Sequence, residues 1–516
     1  MVNSLVHARA AAVTGCSALA FAVSPVRAAD LLGPNSLLIS TTNYENVGPV
    51  AGLVANETPI PGGTAVSDGN VNTVWNNASV DGSFGVTSPI TLQDLNPTTA
   101  QLLASKTLDT NQIVTSFSSK SELGLNITNT PAGPVATFMG YAPAGAGFPP
   151  TASGKLNVSN SDNSAFMDST NPVTQFHGPS YAFNRSVVAL SGNGTSITQT
   201  LAYGGNNGRG AVLAPNGLYY TVGNSNNGSG TPTELTTSTG LSVTMPGATP
   251  NSTMIDPTFS TSPDDKPGKA SNFRGITLFD GNLYFTKGSG SNGINTVYTV
   301  SNPGGQLPAA ATADAAKISI LNGFPTTPAR TSPDYTPFGL FFANPTTLYV
   351  ADEGSGDSVD LANHSGLEKW TLSGDTWHLD YTLQSNLIGR TYHVPGWDFE
   401  ETTVGLRNLA GRLNADGTVT LWGTTSTTSG SGDNGADPNE IVVITDSLAA
   451  TSLPGSEHFS VFDSPKVGLR YGGVGYVTGA SAGVPEPSTW AMTALGLGAL
   501  GILGYGRGRK QPASRA

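Results

Sequence analysis

Apolar residues in this chain come in short runs bounded by Gly, Pro, Asn, Asp and Ser, the signature of β-strands joined by turns. Three stretches share one plan. They run Gly210-Ala-Val-Leu-Ala-Pro-Asn-Gly-Leu218-Tyr219-Tyr220, Gly275-Ile-Thr-Leu-Phe-Asp-Gly-Asn-Leu283-Tyr284-Phe285 and Gly339-Leu-Phe-Phe-Ala-Asn-Pro-Thr-Thr-Leu348-Tyr349-Val350. Each is a glycine, an apolar strand, a tight polar turn and a second strand opening on Leu-Tyr. Tyr219, Tyr284 and Tyr349 recur at intervals of 65 residues. A fourth copy runs from Gly405 to Trp422, with Asp416-Gly417 at its turn. Asn216-Gly217, Asp280-Gly281 and Asp416-Gly417 suit hairpin turns that need positive φ.

Further strand-like runs lie between the copies, at Asn295–Val300, Leu367–Leu372 and Trp377–Leu383. They supply outer strands, and four strands in about 65 residues is the pattern of a propeller blade. The chain before Gly208 offers strands at Ser36–Thr42, Val71–Trp75, Ile113–Phe117, Val135–Tyr141 and Val187–Leu190. The predicted fold is an all-β β-propeller over residues 30–471, with roughly seven blades at that pitch. An N-terminal β-sandwich before a smaller propeller is the alternative, cut in the Pro-rich stretch 141–150. Residues 472–483, rich in Gly, read as a flexible stalk. The strand-turn-Leu-Tyr plan, above all Leu348-Tyr349-Val350-Ala351-Asp352, is similar to NHL-type and lactonase-like β-propellers over roughly Gly208 to Gly423.

The two ends depart from this pattern. Arg9 precedes the uncharged stretch Ala10–Pro25, and Ala28 and Ala29 follow, so residues 1–29 read as a secretory signal peptide cleaved near Ala29. Cys16 is the only cysteine and would leave with that segment, so the mature chain is expected to hold no disulfide and no thiol nucleophile. Residues 484–516 contain Pro485-Glu486-Pro487, the uncharged run Trp490–Tyr505 and a basic end with Arg507, Arg509 and Lys510. As a helix that run is only about 24 Å long, short of the roughly 30 Å hydrocarbon core. The triplet, apolar run and basic end together resemble a PEP-CTERM sorting signal. The resemblance implies recognition and cleavage by an exosortase, transient residence in the inner membrane with a transmembrane-type sorting helix, and delivery to the cell surface or beyond.

Charge narrows the partners. The chain has 23 Lys+Arg against 35 Asp+Glu. Setting aside two arginines before Asp30 and four basic residues after Tyr505 leaves 17 against 35. Nucleic acid is excluded as a partner, since phosphate recognition needs a basic surface. Charged residues make up only 11%, so the surface is built mainly from Ser, Thr, Asn and Gly.

Candidate chemistry is sparse. Asp352, Glu353, Asp357 and Asp360 place oxygen ligands at short spacing in a Gly-rich loop, a candidate Ca²⁺ site without the full EF-hand order; a solvated acidic loop is the plainer reading. Trp397 beside Asp398, Glu400 and Glu401 pairs an aromatic ring with carboxylates, as sugar subsites do. Arg209 and Arg274 stand just before Gly210 and Gly275. They would point to the channel entrance as an anion or sugar-acid site, or tie neighbouring blades through carbonyl bonds. His177, His364, His378, His393 and His458 show no zinc-ligand spacing, and no nucleophile elbow appears.

The leading reading is an exported, non-catalytic propeller that interacts with exopolysaccharide in a surface or extracellular matrix, a partner class implied by the PEP-CTERM resemblance. The alternatives are a metal-dependent lactonase-like or glycan-cleaving enzyme using Asp352, Glu353 or Asp398, and a sugar-binding module in which Trp397, Tyr349 and Arg274 line a pocket.

Overall fold

The computed structural model describes residues 31–43, 84–116 except 111, 122–142, 185–203, 208–224, 240–265, 269–354 except 333, 364–428 except 398, and 437–479. It also describes short strand pieces at 59–60, 63–64, 66–67, 75–76 and 158–160. The signal peptide, the Pro485-Glu486-Pro487 triplet, the apolar run and the basic end lie outside these residues. Among the described residues no helix is long and apolar enough to cross a membrane.

Six antiparallel sheets of four or five strands form the blades of a β-propeller. Blade 2 is built from Asn126–Thr130, Gly133–Tyr141, Arg185–Ser191 and Gly194–Gln199. Blade 3 uses Gly208–Leu213, Tyr219–Gly223, Gly240–Thr244 and Thr253–Met254. Blade 4 uses Ile276–Phe279, Asn282–Lys287, Thr296–Val300 and Ile318–Ile320. Blade 5 uses Pro337–Asn344, Thr347–Asp352, Gly366–Ser373 and Thr376–Leu383. Blade 6 uses Glu400–Leu413, Thr418–Thr428, Ile441–Ser447 and Ser460–Asp463, with Thr391–His393 added on the inner edge.

Blade 1 closes the ring from both ends of the domain. Its inner strand is Leu469–Val477, followed outward by Ser36–Asn43, Ile90–Leu95 and Leu102–Thr107. The first strands of successive blades touch all the way round, and Leu469–Val477 completes the circle against both Glu400–Leu413 and Asn126–Thr130.

Side chains alternate along each strand, so each blade presents apolar residues to both neighbours. Six buried clusters result, one in every gap between blades. Tyr220 packs between blades 3 and 4, Tyr284 between 4 and 5, Tyr349 between 5 and 6, and Trp422 between 6 and 1. Strand register agrees: Tyr220 pairs with Val212, Tyr284 with Thr277 and Tyr349 with Phe341. Tyr220, rather than Tyr219, is therefore the repeat equivalent. Tyr219 faces the opposite way, toward blade 2.

Three expectations are corrected. The described residues hold six blades rather than about seven, because long segments interrupt the first two: Asn43 to Ile90 between neighbouring strands of blade 1, and Tyr141 to Arg185 within blade 2. A domain cut at 141–150 does not fit, because Gly133–Tyr141 and Arg185–Ser191 are paired strands of one sheet. The segment read as a stalk from residue 472 is instead the inner strand of blade 1 as far as Val477. Its glycines are demanded by packing: a Cβ on Gly473 would lie 2.3 Å from the Leu123 carbonyl oxygen.

Candidate functional site

The inner strands enter the central channel at one end, and a β-bulge interrupts three of them there. Pairing slips between Gly208 and Gly210, between Pro337 and Leu340, and between Leu406 and Leu409. A bulge turns a side chain out of the strand's alternation. The residues at these places are Arg209, Phe338, and Arg407 with Asn408. Arg274 takes the corresponding position in blade 4, just before Ile276–Phe279, where its backbone N–H donates to the Thr286 carbonyl at 2.8 Å.

These residues form a buried ionic cluster. Arg274 donates to Glu353 Oε1, and Arg407 Nε donates to Glu353 Oε2 at 3.2 Å. One carboxylate of blade 5 thus lies between arginines of blades 4 and 6. Arg274 Nε also donates to Ser289 Oγ at 3.1 Å. Arg209, from blade 3, donates to Asn272 Oδ1 and to the Phe273 carbonyl at 3.1 Å, joining blade 3 to blade 4. The three arginines are 5–8% exposed. Burial, and then the neighbouring Arg274 charge, pushes Arg209 down to about 9. Burial with the charges of Arg274 and Arg209 pushes Lys287 down to about 7. Lys287 Nζ is held by the Ser289 carbonyl at 2.7 Å and Asn295 Oδ1 at 2.8 Å.

The channel is narrow here. A space of about 30 Å³ is lined by Gly124, Arg209, Arg274, Phe338 and Asn408 among others. At the opposite end it widens to about 200 Å³, lined by Asn126 and Thr277 together with Ile127, Phe279, Phe342 and Tyr476 among others.

Asp352 is fully buried beside this cluster and accepts from the Thr336 N–H at 2.7 Å, Thr336 Oγ1 at 2.5 Å and the Gly354 N–H at 2.9 Å. Burial and the Glu368 charge push its carboxyl up to about 7 against those hydrogen bonds. Glu368 gathers Tyr335 at 3.0 Å, the Trp370 indole at 2.8 Å and His364 Nδ1. Burial disfavours the His364 imidazolium, but the hydrogen bond and charge of Glu368 outweigh it, so its pKa is raised.

The structure does not gather the candidate residues into one site. Asp352 and Glu353 are both in place, but Asp357, Asp360 and Asp398 lie outside the described residues. Glu353 and Arg274, read separately from sequence as metal ligand and anion ligand, are partners of each other. Trp397 lies at the rim of blade 6, where its indole N–H donates to Glu401 Oε1 at 2.8 Å. Tyr349 is buried between blades 5 and 6, its hydroxyl donating to Asp446. Trp397, Tyr349 and Arg274 therefore occupy three different places. No group of three or more metal-ligating side chains converges among the described residues.

Arg407 carries the same sequence mark in a weaker form. Aligning the fourth copy on Gly405 hides it, whereas aligning on arginine places it with Arg209 and Arg274. Another buried network had no local signal. Lys369 pairs with Asp446 at 3.1 Å and donates to the Ser447 and Ala450 carbonyls at 2.6 and 2.8 Å. Tyr381 donates to Asp446 at 2.6 Å. Burial and the hydrogen bond with Asp446 push Glu457 up to about 7.

A pH dependence follows. Asp352 and Glu457 hold protons in the folded protein that the unfolded chain releases between about pH 4 and 5. The native state then binds more protons than the unfolded state up to about pH 7, so stability falls as pH rises across that window. His364 acts in the same direction. The urea midpoint is expected to be lower at pH 7.5 than at pH 5.5, and Glu457→Gln should flatten the dependence.

The C-terminal residues 483–510 match the PEP-CTERM protein-sorting motif. The chain carries a PEP-CTERM sorting signal. The motif implies export through a membrane-associated exosortase, as the Pro485-Glu486-Pro487 triplet and basic end suggested. No curated protein matches the chain. Among solved structures, a candidate 6-phosphogluconolactonase of Bacteroides fragilis is similar at 11% identity and a TM-score of 0.28, covering 86% of this chain and 99% of its own. An ulvan lyase of polysaccharide lyase family PL25 is similar at 9% identity and a TM-score of 0.29, covering 83% and 97%. Likeness at this level carries no argument about what this chain does.

Proposed function

We propose that the protein is an exported propeller of the cell surface or extracellular matrix, sorted by an exosortase-type system, with an interaction role toward polysaccharide. The observation that carries this reading is the PEP-CTERM motif at residues 483–510. The buried cluster supports a non-catalytic role. Glu353 is held between two arginines and Asp352 by three hydrogen bonds, so both carboxylates serve packing between and within blades. The channel space beside Arg209 and Arg274, about 30 Å³, is far below the roughly 300–1,000 Å³ of ordinary ligand pockets. Contact with a glycan accordingly falls to the exposed Ser-, Thr- and Asn-rich loops.

Replacing both Pro485 and Pro487 with Ala is expected to leave full-length protein in the inner membrane and deplete the surface and medium fractions. Unchanged processing and release would overturn the sorting assignment. Binding of the released protein to matrix polysaccharide without turnover supports the interaction role; turnover would replace it with the enzymatic reading.

A further inference from the structure

The last strand of the propeller is its innermost one, which fixes where the tail leaves. Leu469–Val477 runs down the channel from the arginine-lined end, where Gly472 meets Asn408, to the wider end, where Val474, Gly475 and Tyr476 line the cavity. The exit is fastened: Asn129 donates to Thr478 Oγ1 at 2.8 Å and Tyr476 donates to Asn35 at 3.2 Å. The N-terminal end of the domain lies at the same place. Ser36 pairs with Val477, and the Asn35 N–H donates to the Val477 carbonyl at 2.8 Å.

We infer that, while the sorting signal is still in the inner membrane, the propeller is held with this exit face against the phospholipid surface and its arginine-lined face turned away. The inference rests on the PEP-CTERM reading and on chain length. From Gly479 to Trp490, where the uncharged run begins, eleven residues reach at most about 38 Å when fully extended. Nine residues of inner strand make the disc about 30 Å deep, and three strand spacings of about 4.8 Å carry each blade roughly 14 Å outward from the channel wall. To bring the opposite face to the membrane, the tether would have to cross the exit face, round the rim and climb the full depth of the disc. That path of about 44 Å exceeds the reach of about 38 Å.

The exit face also carries apolar surface suited to a bilayer. Four of the seven exposed large apolar side chains of the described residues, Leu102, Leu103, Met245 and Leu413, stand at this end of their blades. Leu379 and Val461 lie on outer strands and Leu453 in an outer loop of blade 6. Asp280, Asp375 and Asp416 lie in exposed hairpins of the exit face, so the tether and these apolar residues, rather than a basic patch, hold the face to lipid.

Cysteine accessibility tests this in the full chain carrying Pro485→Ala, Pro487→Ala and Cys16→Ser. Single cysteines enter at exposed hairpins of the exit face, Ala132→Cys and Ala415→Cys, or on the opposite face, Asp334→Cys and His393→Cys. Spheroplasts are treated with a bulky maleimide that cannot cross membranes, before and after detergent solubilisation. The expected result is full labelling at Asp334→Cys and His393→Cys, and protection at Ala132→Cys and Ala415→Cys that detergent abolishes. Equal labelling at all four sites in membrane-held protein would overturn the orientation alone. Protein absent from the membrane fraction would overturn the sorting reading and the orientation with it.

Discussion

A chain that stops at Gly468 is expected to show no cooperative unfolding transition, while one that stops at Gly483 unfolds with the midpoint of the longer protein. The difference is the inner strand Leu469–Val477, which pairs with Ser36–Asn43 through eight residue pairs and one bulge. It buries Tyr471, Val474, Tyr476 and Val477 to 9% exposure or less. At about 1.5–3 kcal/mol per buried side chain, those four contribute roughly 6–12 kcal/mol. That is comparable to the whole stability of a typical domain, about 5–15 kcal/mol. Removing the strand also exposes the inner edge of Ser36–Asn43 and opens the ring between blades 6 and 2. Thermal unfolding followed by near-ultraviolet circular dichroism separates the two chains; a cooperative transition in the shorter one would contradict the closure described above.

Replacing Glu353 with Gln is expected to cost about 3–5 kcal/mol, since it leaves two buried arginines without their shared carboxylate. Arg274 and Arg407 would retain positive charge in a place where Arg209 and Lys287 already repel it. The combined replacement Arg274→Met, Glu353→Leu and Arg407→Met should recover most of that loss, because apolar side chains of similar volume can replace a buried ionic triad without penalty. Urea unfolding of the single and triple variants measures both effects. A Glu353→Gln midpoint equal to the parent would show that the arginines are stabilised by other groups.

The later blades were legible because their turns are short and chemically marked. Asn216-Gly217, Asp280-Gly281 and Asp416-Gly417 each join the first two strands of a blade, with positive φ at every one of these glycines. Blades 1 and 2 were not legible in this way. Their neighbouring strands are separated by the long segments after Asn43 and Tyr141, so no 65-residue pitch survives, and a count from that pitch gives one blade too many.

The closing strand looks like a linker in sequence for a related reason. Gly472, Gly473 and Gly475 resemble a flexible linker by composition, yet a Cβ at any of them would meet Leu123 or Ile127 within 2.8 Å. Close approach at the propeller axis and chain flexibility favour the same residue, and sequence alone does not separate them. The ionic clusters were partly hidden by distance along the chain. Lys369 and Asp446 stand 77 residues apart and meet only because blades 5 and 6 pack together. Arg209 and Arg274 were visible through their repeated Arg-Gly pair, while Arg407, followed by Asn408, bears only the arginine of that mark.

A closed propeller joined to a removable address is tested most directly by the mass of the exported protein. Intact mass spectrometry of protein recovered from the cell surface or medium is predicted to show a chain beginning near Asp30 and lacking Trp490–Ala516, with the inner strand Leu469–Val477 retained. Recovery of exported protein that still ends at Ala516 would contradict it.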